Sequence, residues 1–218
     1  TAQAATNPVD SFLLAALQQR KLALSPPADR ATLLRRLSYD LTGLPPSQSA
    51  LDRFLGNPSA DAYRHEVERL LASPAYGECW GRHWLDTAGY ADSAGVLSED
   101  RPLPFTWRFR DYVIRALNDN KPYDRFLQEQ LAGDLMEADD HATRTEWKIA
   151  TGFLSLGPKV LAEQDVVKME MDIIDEQIDT IGRSLMGLTL GCSRCHDHKF
   201  DPLTTRDYYA LAGIFKST

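Results

Sequence analysis

Cysteine is scarce in this 218-residue chain, which holds only three. That excludes a disulfide framework, which needs several pairs. Basic charge is also in deficit. Lys and Arg number 24 against 31 Asp and Glu, giving a net charge of -7 and a pI of about 5.2. A general nucleic-acid binder shows a basic face, so no nucleic-acid partner is expected. No run of about 18 apolar residues occurs, so no membrane-spanning helix is expected. Strand-like alternation is missing over any useful length, and so are internal repeats. There is no Gly-rich phosphate loop, no H-E-x-x-H and no G-x-S-x-G. The opening TAQAATNP has neither a basic n-region nor an apolar core, so it does not read as a signal peptide. With a loop-like start and an end at FKST, the chain reads as a module of a longer protein, with any export signal elsewhere.

What the chain does contain is helical periodicity. Asn7 can cap a helix whose first position is Pro8 and whose face carries Val9, Phe12, Leu13, Ala16 and Leu17. SPPADRATLLRRL repeats the pattern with Leu33, Leu34 and Leu37. Ser47 can cap a short helix with Leu51, Phe54 and Leu55, and AYRHEVERLLAS follows with Val67, Leu70 and Leu71. PAYGECWGRHWLDTAGYADS is dense in aromatics and reads as a buried helix ending near Gly89 to Ser93. SAGVLSEDRPLPF reads as a long functional loop. TWRFRDYVIRALND and YDRFLQEQLAGDL are two more helices, and the acidic MEADDHAT is an exposed connection. Ile174, Ile178, Ile181, Leu185 and Leu188 keep a three-four spacing, which predicts one long helix from Glu163 to Leu190, ended by Gly191. The expected fold is all-α: an irregular multi-helix domain over residues 1–218, with 1–57 as a candidate small N-terminal lobe.

Near the C-terminus stands GCSRCHDHKFDP. Cys192-Ser193-Arg194-Cys195-His196 is C-x-x-C-H, the attachment sequence of a c-type haem. Two thiols about one turn apart can reach the two vinyl groups on one porphyrin edge, and the next residue puts an imidazole beneath the iron. A redox disulfide would want a strand leading into a helix. A zinc site would need two more ligands, and Cys79 stands alone. A motif without function is the last alternative.

Long phrases of the chain carry a resemblance: SPPADRATLLRRLSYDLTGLPPS, LLASPAYGECWGRHWLDTAGYADS, WRFRDYVIRALNDNKPYDRFLQEQLAGDL, IATGFLSLG and GLTLGCSRCHDHKFDPLTTRDYY. The chain resembles an uncharacterised planctomycete cytochrome-associated family, the domain that commonly follows a planctomycete-type cytochrome c domain in large exported proteins. The resemblance implies export, to the periplasm or cell surface, and a haem c bound through the family's own C-x-x-C-H. Cys79 and Gly89 stand where the family pattern has arginine.

If haem is bound, His196 is its proximal iron ligand. His83, in GRHWLD, is the candidate distal ligand, with Asp86 three residues on to orient it and Tyr90 one turn further. Met136, Met169, Met171 and Met186 are alternatives. His198 is expected to cap or bond the backbone, and His65 and His141 to be solvated. Trp80, Trp84, Tyr90 and the Phe200 region are expected to keep water off the haem. Lys199, Arg194 or Arg183 could pair with a haem propionate. Asp172, Asp175, Glu176 and Asp179 read as a solvated helix face rather than a calcium loop. Asp86 and Asp92 are a weaker candidate carboxylate pair for hydrolysis. The expected function is one-electron transfer by a mono-haem domain, with other redox modules of the parent protein or a separate electron carrier as partners. The rivals are an open-site haem enzyme or sensor for peroxide or a diatomic gas, and a non-haem structural or carbohydrate-associated module.

Overall fold

Side chains that accept the first free amides set the helix starts. Asn7 Oδ1 accepts from Asp10 N at 3.0 Å to open α1 (Pro8–Gln19). Asp29 opens α2 (Arg30–Thr42), and Ser47 opens α3 (Gln48–Gly56). The computed structural model describes residues 7–96, 99–159 and 163–217. The opening TAQAAT, Leu97 and Ser98 of the expected loop, and Thr218 of the closing FKST lie outside them.

The architecture is all-α, as expected, with ten α-helices among the described residues. α1 buries none of its residues, and Val9, Phe12 and Leu13 stand exposed. α2, α3 and α4 (Ala62–Leu71) enclose a small cluster of Leu34, Phe54 and Ala62. α2 also packs on α5 (Pro74–Thr87). The central core forms where α5 meets α6 (Trp107–Asn118), α7 (Tyr123–Ala132) and α8 (His141–Ala150). Its rings interlock: Trp84 stacks on Phe153 with centroids 5.3 Å apart, and Tyr112 on Phe126 at 5.9 Å. Buried Glu129 accepts from Tyr112 Oη at 2.9 Å, Lys121 Nζ at 2.5 Å and Arg125 Nε at 3.1 Å. A third cluster joins α9 (Val166–Ile181) to α10 (Thr205–Lys216) through Ile174, Ile178, Leu190, Tyr208 and Ala212. No helix among the described residues is long and apolar enough to cross a membrane.

Three elements differ from expectation. The long loop contains a small antiparallel ribbon, β1 (Ser93–Val96) and β2 (Glu99–Pro102), in which Ser93 faces Pro102. Four-residue strands of mixed character carry no period-2 signal to read. α8 follows the acidic connection, because Asp140 Oδ1 accepts from Thr143 N at 2.9 Å and starts a helix there. The predicted long helix is shorter. α9 stops at Ile181 and gives way to a π-helical turn, Gly182–Met186, and to Gly187 at φ +65°.

Candidate functional site

That early stop positions the C-x-x-C-H motif. A Cβ on Gly182 would lie 2.7 Å from the Leu188 carbonyl oxygen, so only glycine lets the chain fold back this tightly. Gly187 supplies the left-handed residue of the reversal. The returning strand of chain then forms a 3₁₀ turn, Leu190–Arg194, against α9 and α10. Cys192 lies within this turn and Cys195 directly follows it. Both thiols are free and exposed, while Ser193 between them is buried.

Polar bonds clamp this turn from the inside. Arg194 reaches Asp172 at 2.9 Å and Asp175 at 3.3 Å, both on α9. Tyr208 Oη donates to Asp175 at 2.5 Å, and Tyr209 Oη donates to the Arg194 carbonyl at 3.3 Å. Burial, and then Asp175, raise the Tyr208 pKa above its ordinary value. Asp197 Oδ1 accepts from Thr205 N at 2.8 Å and ties the motif to the start of α10.

The two histidines play different parts. His196 is exposed, and its Nδ1 lies 2.8 Å from the Asp197 carbonyl oxygen. A carbonyl only accepts, so a proton is assigned to Nδ1, and in the neutral ring Nε2 then presents a lone pair. A backbone carbonyl holds a metal-ligating histidine in this way. His198 has an 8% exposed side chain. Its Nδ1 accepts from Asp201 N at 2.9 Å and Phe200 N at 3.3 Å, and its Nε2 lies 3.0 Å from Thr189 Oγ1. It bonds the backbone through amides, where a carbonyl partner was one of the expectations.

The acidic face of α9 is a different matter. Instead of standing in open solvent, Asp172, Asp175, Glu176 and Asp179 line a cleft of about 680 Å³ together with Asp86 and Cys192. The Arg194 clamp gives the reason: it draws the 190–194 turn over that face. Burial raises the Glu176 pKa above its ordinary value.

Of the other candidates, Asp86 shares the cleft with Cys192, while His83 and Trp84 line a different space along α5. His83 is on the exposed face of α5, and its ring meets the edge of Trp80 at 5.6 Å. Asp86 pairs with Arg82 at 3.7 Å. Tyr90 follows the helix end at Thr87, so the expected single face of His83, Asp86 and Tyr90 is broken there. Tyr90 Oη donates to Asp92 at 2.5 Å. Trp84 is held in the central core, with Nε1 donating to Gln130 Oε1 at 2.6 Å. Lys199 is exposed beside the Phe200 ring, and Phe200 itself is 82% exposed. Met186 lines a separate cavity with Ser193 and Leu190. His65 and His141 are exposed.

Residues 8–218 match the family described as PSCyt2, protein of unknown function (DUF1549). The chain belongs to this family. No curated protein and no solved structure matches it.

In this PSCyt2 chain a second space went unread in the sequence. A cavity of about 450 Å³ runs along α5, walled by Tyr76, Trp80, Trp84, Tyr123 and Phe126. Arg183 lines both this cavity and the cleft at Cys192. A signal was available, because Tyr76, Trp80, His83, Trp84 and Thr87 fall at three-four spacing along one helix face. Tyr123 and Lys121, which complete the cavity, are distant in sequence and give none.

Proposed function

We propose that this chain is a mono-haem c-type domain that passes single electrons within a larger exported protein. The observation that carries the reading is the donor set on the 190–196 turn: two free, exposed thiols and an imidazole whose Nε2 is left open by the Nδ1 bond to Asp197. The donors fit the group. Cys192 and Cys195 would each add an S–H bond across a vinyl double bond of the porphyrin, and His196 would ligate iron through Nε2. The haem, when bound, supplies the one-electron couple. Arg194, tied to Asp172 and Asp175, holds the turn still while the thiols react. Arg183, which lines the cleft at Cys192, and Lys199, exposed beside the motif, are the cations that could pair with a haem propionate.

Because c-type haem is attached outside the cytoplasm, the reading carries an exported location with it. The electron partners would be other redox modules of the parent protein or a separate carrier. A preformed zinc site is less well supported: no three His, Cys, Asp or Glu side chains converge as metal ligands among the described residues.

The test is a visible spectrum and a haem-stained denaturing gel of protein made with the c-type maturation machinery. Covalent haem that is lost in Cys192→Ala and Cys195→Ala is the expected result. A colourless product would overturn the reading. A low-spin reduced spectrum would support electron transfer through a six-coordinate iron, and His83→Ala would then test the sixth ligand. A high-spin spectrum that shifts with carbon monoxide would favour an open-site enzyme or sensor.

A further inference from the structure

We propose that the aromatic cavity along α5 binds a flat aromatic ring that carries a carboxylate. Its volume of about 450 Å³ suits a small ligand. Part of its wall is fixed in advance. Trp84 is held by Gln130, Phe126 and Phe153. Trp80 Nε1 donates to the Asp40 carbonyl at 3.2 Å, which fixes one edge of an indole that is 43% exposed. A preset aromatic wall lowers the cost of ordering on binding.

Charge points to the sign of the ligand. The protein carries a net charge of -7, yet the charged residues lining this cavity are Lys121 and Arg183. Lys121 also serves Glu129 at 2.5 Å and Glu146 at 3.5 Å. Arg183 pairs with Asp179 at 2.8 Å. One carboxylate engages at most two of the five guanidinium donors, so Arg183 can take a second.

The polar lining separates an aromatic ring from a sugar. Pyranose hydroxyls are commonly bracketed by side-chain carboxylates and amides, and among the described residues no Asp, Glu, Asn or Gln lines the cavity. The Thr87 and Ser184 hydroxyls already donate to the carbonyls of His83 and Thr180. What remains is a few groups at the rim, His83 and the Tyr76 and Tyr123 hydroxyls, around a largely aromatic space.

The chemistry has two sources. One is a free aromatic acid. The other is the haem that Cys192 would tether, also a flat ring with carboxylates, since Arg183 lines both the cavity and the cleft at Cys192. Only that second source rests on the proposed function.

The experiment titrates 1-naphthoate into haem-free Cys192→Ser/Cys195→Ser protein by calorimetry. Saturable one-to-one binding is expected. Trp80→Ala and Arg183→Gln should each weaken it roughly 5- to 10-fold, while Trp80→Phe retains binding and separates lost stacking from lost folding. Trp107→Ala, at an exposed tryptophan outside the cavity, should change nothing. No saturable binding would overturn the proposal, as would binding indifferent to Trp80→Ala or glucuronate binding as tightly as naphthoate. In haem-loaded protein, lost naphthoate binding would assign the site to the tethered porphyrin, and retained binding would assign it to a free acid.

Discussion

The central core and the C-terminal turn are held by different forces. Around α5 to α8, rings stack and interlock, and the one buried carboxylate, Glu129, is surrounded by donors. Around residues 190–204 there is little regular structure. Leu190 and Leu203 anchor the chain in the α9–α10 cluster, and Arg194, His198 and Asp197 add the polar bonds that direct it. Apolar packing is non-directional and leaves rings inside. Hydrogen bonds fix the direction of each residue, so a turn built on them can keep Ser193 inward and both thiols outward. The part of the molecule that carries reactive side chains is the part shaped by directional bonds.

That contrast can be broken most sharply at Glu129. Glu129→Ala removes the buried partner of Lys121 and Arg125 and the acceptor of the Tyr112 hydroxyl, and should cost about 3 kcal/mol in a denaturant titration. A loss below about 1 kcal/mol would mean that the rings alone hold the core. Arg194→Gln should cost less, about 1 kcal/mol, since its ion pairs are partly exposed. Its effect should be local: faster amide hydrogen exchange over residues 190–197 with α5 to α8 unchanged. Uniform acceleration across both regions would erase the distinction.

The smallest effect is expected at Glu176, where the polar region includes a half-buried acid. Burial raises its pKa above the ordinary 4.5. The folded state therefore binds this proton more tightly than the unfolded state. Stability falls as pH climbs from about 4.5 through the folded pKa, and the loss persists at neutral pH. Glu176→Gln should raise the melting temperature slightly at pH 7, with the gain vanishing below about pH 4. A gain that is the same at every pH would show that burial does not penalise this carboxylate.

Features carried by neighbours in sequence were legible. Asn7 and Ser47 cap helices within three residues of themselves, and Ile174 and Ile178 mark the buried stripe of α9. The end of α9 was not legible, because Gly182 matters through the Leu188 carbonyl, which nears it only after the chain has folded back. The C-x-x-C-H spacing was plain, but its support was not: Asp172 and Asp175 lie about twenty residues before Arg194, so their role as clamp was read as a solvated face. The β1–β2 ribbon was missed for a different reason, since its pairing spans four residues a side and offers no pattern.

The two histidines of HDH also differ as chemical reagents would meet them. Both ring nitrogens of His198 are engaged, and its side chain is nearly closed to solvent. His196 offers an unengaged Nε2 on the surface. An acylating electrophile would therefore mark one and pass over the other. Residues two apart in sequence act as one internal strut and one accessible base.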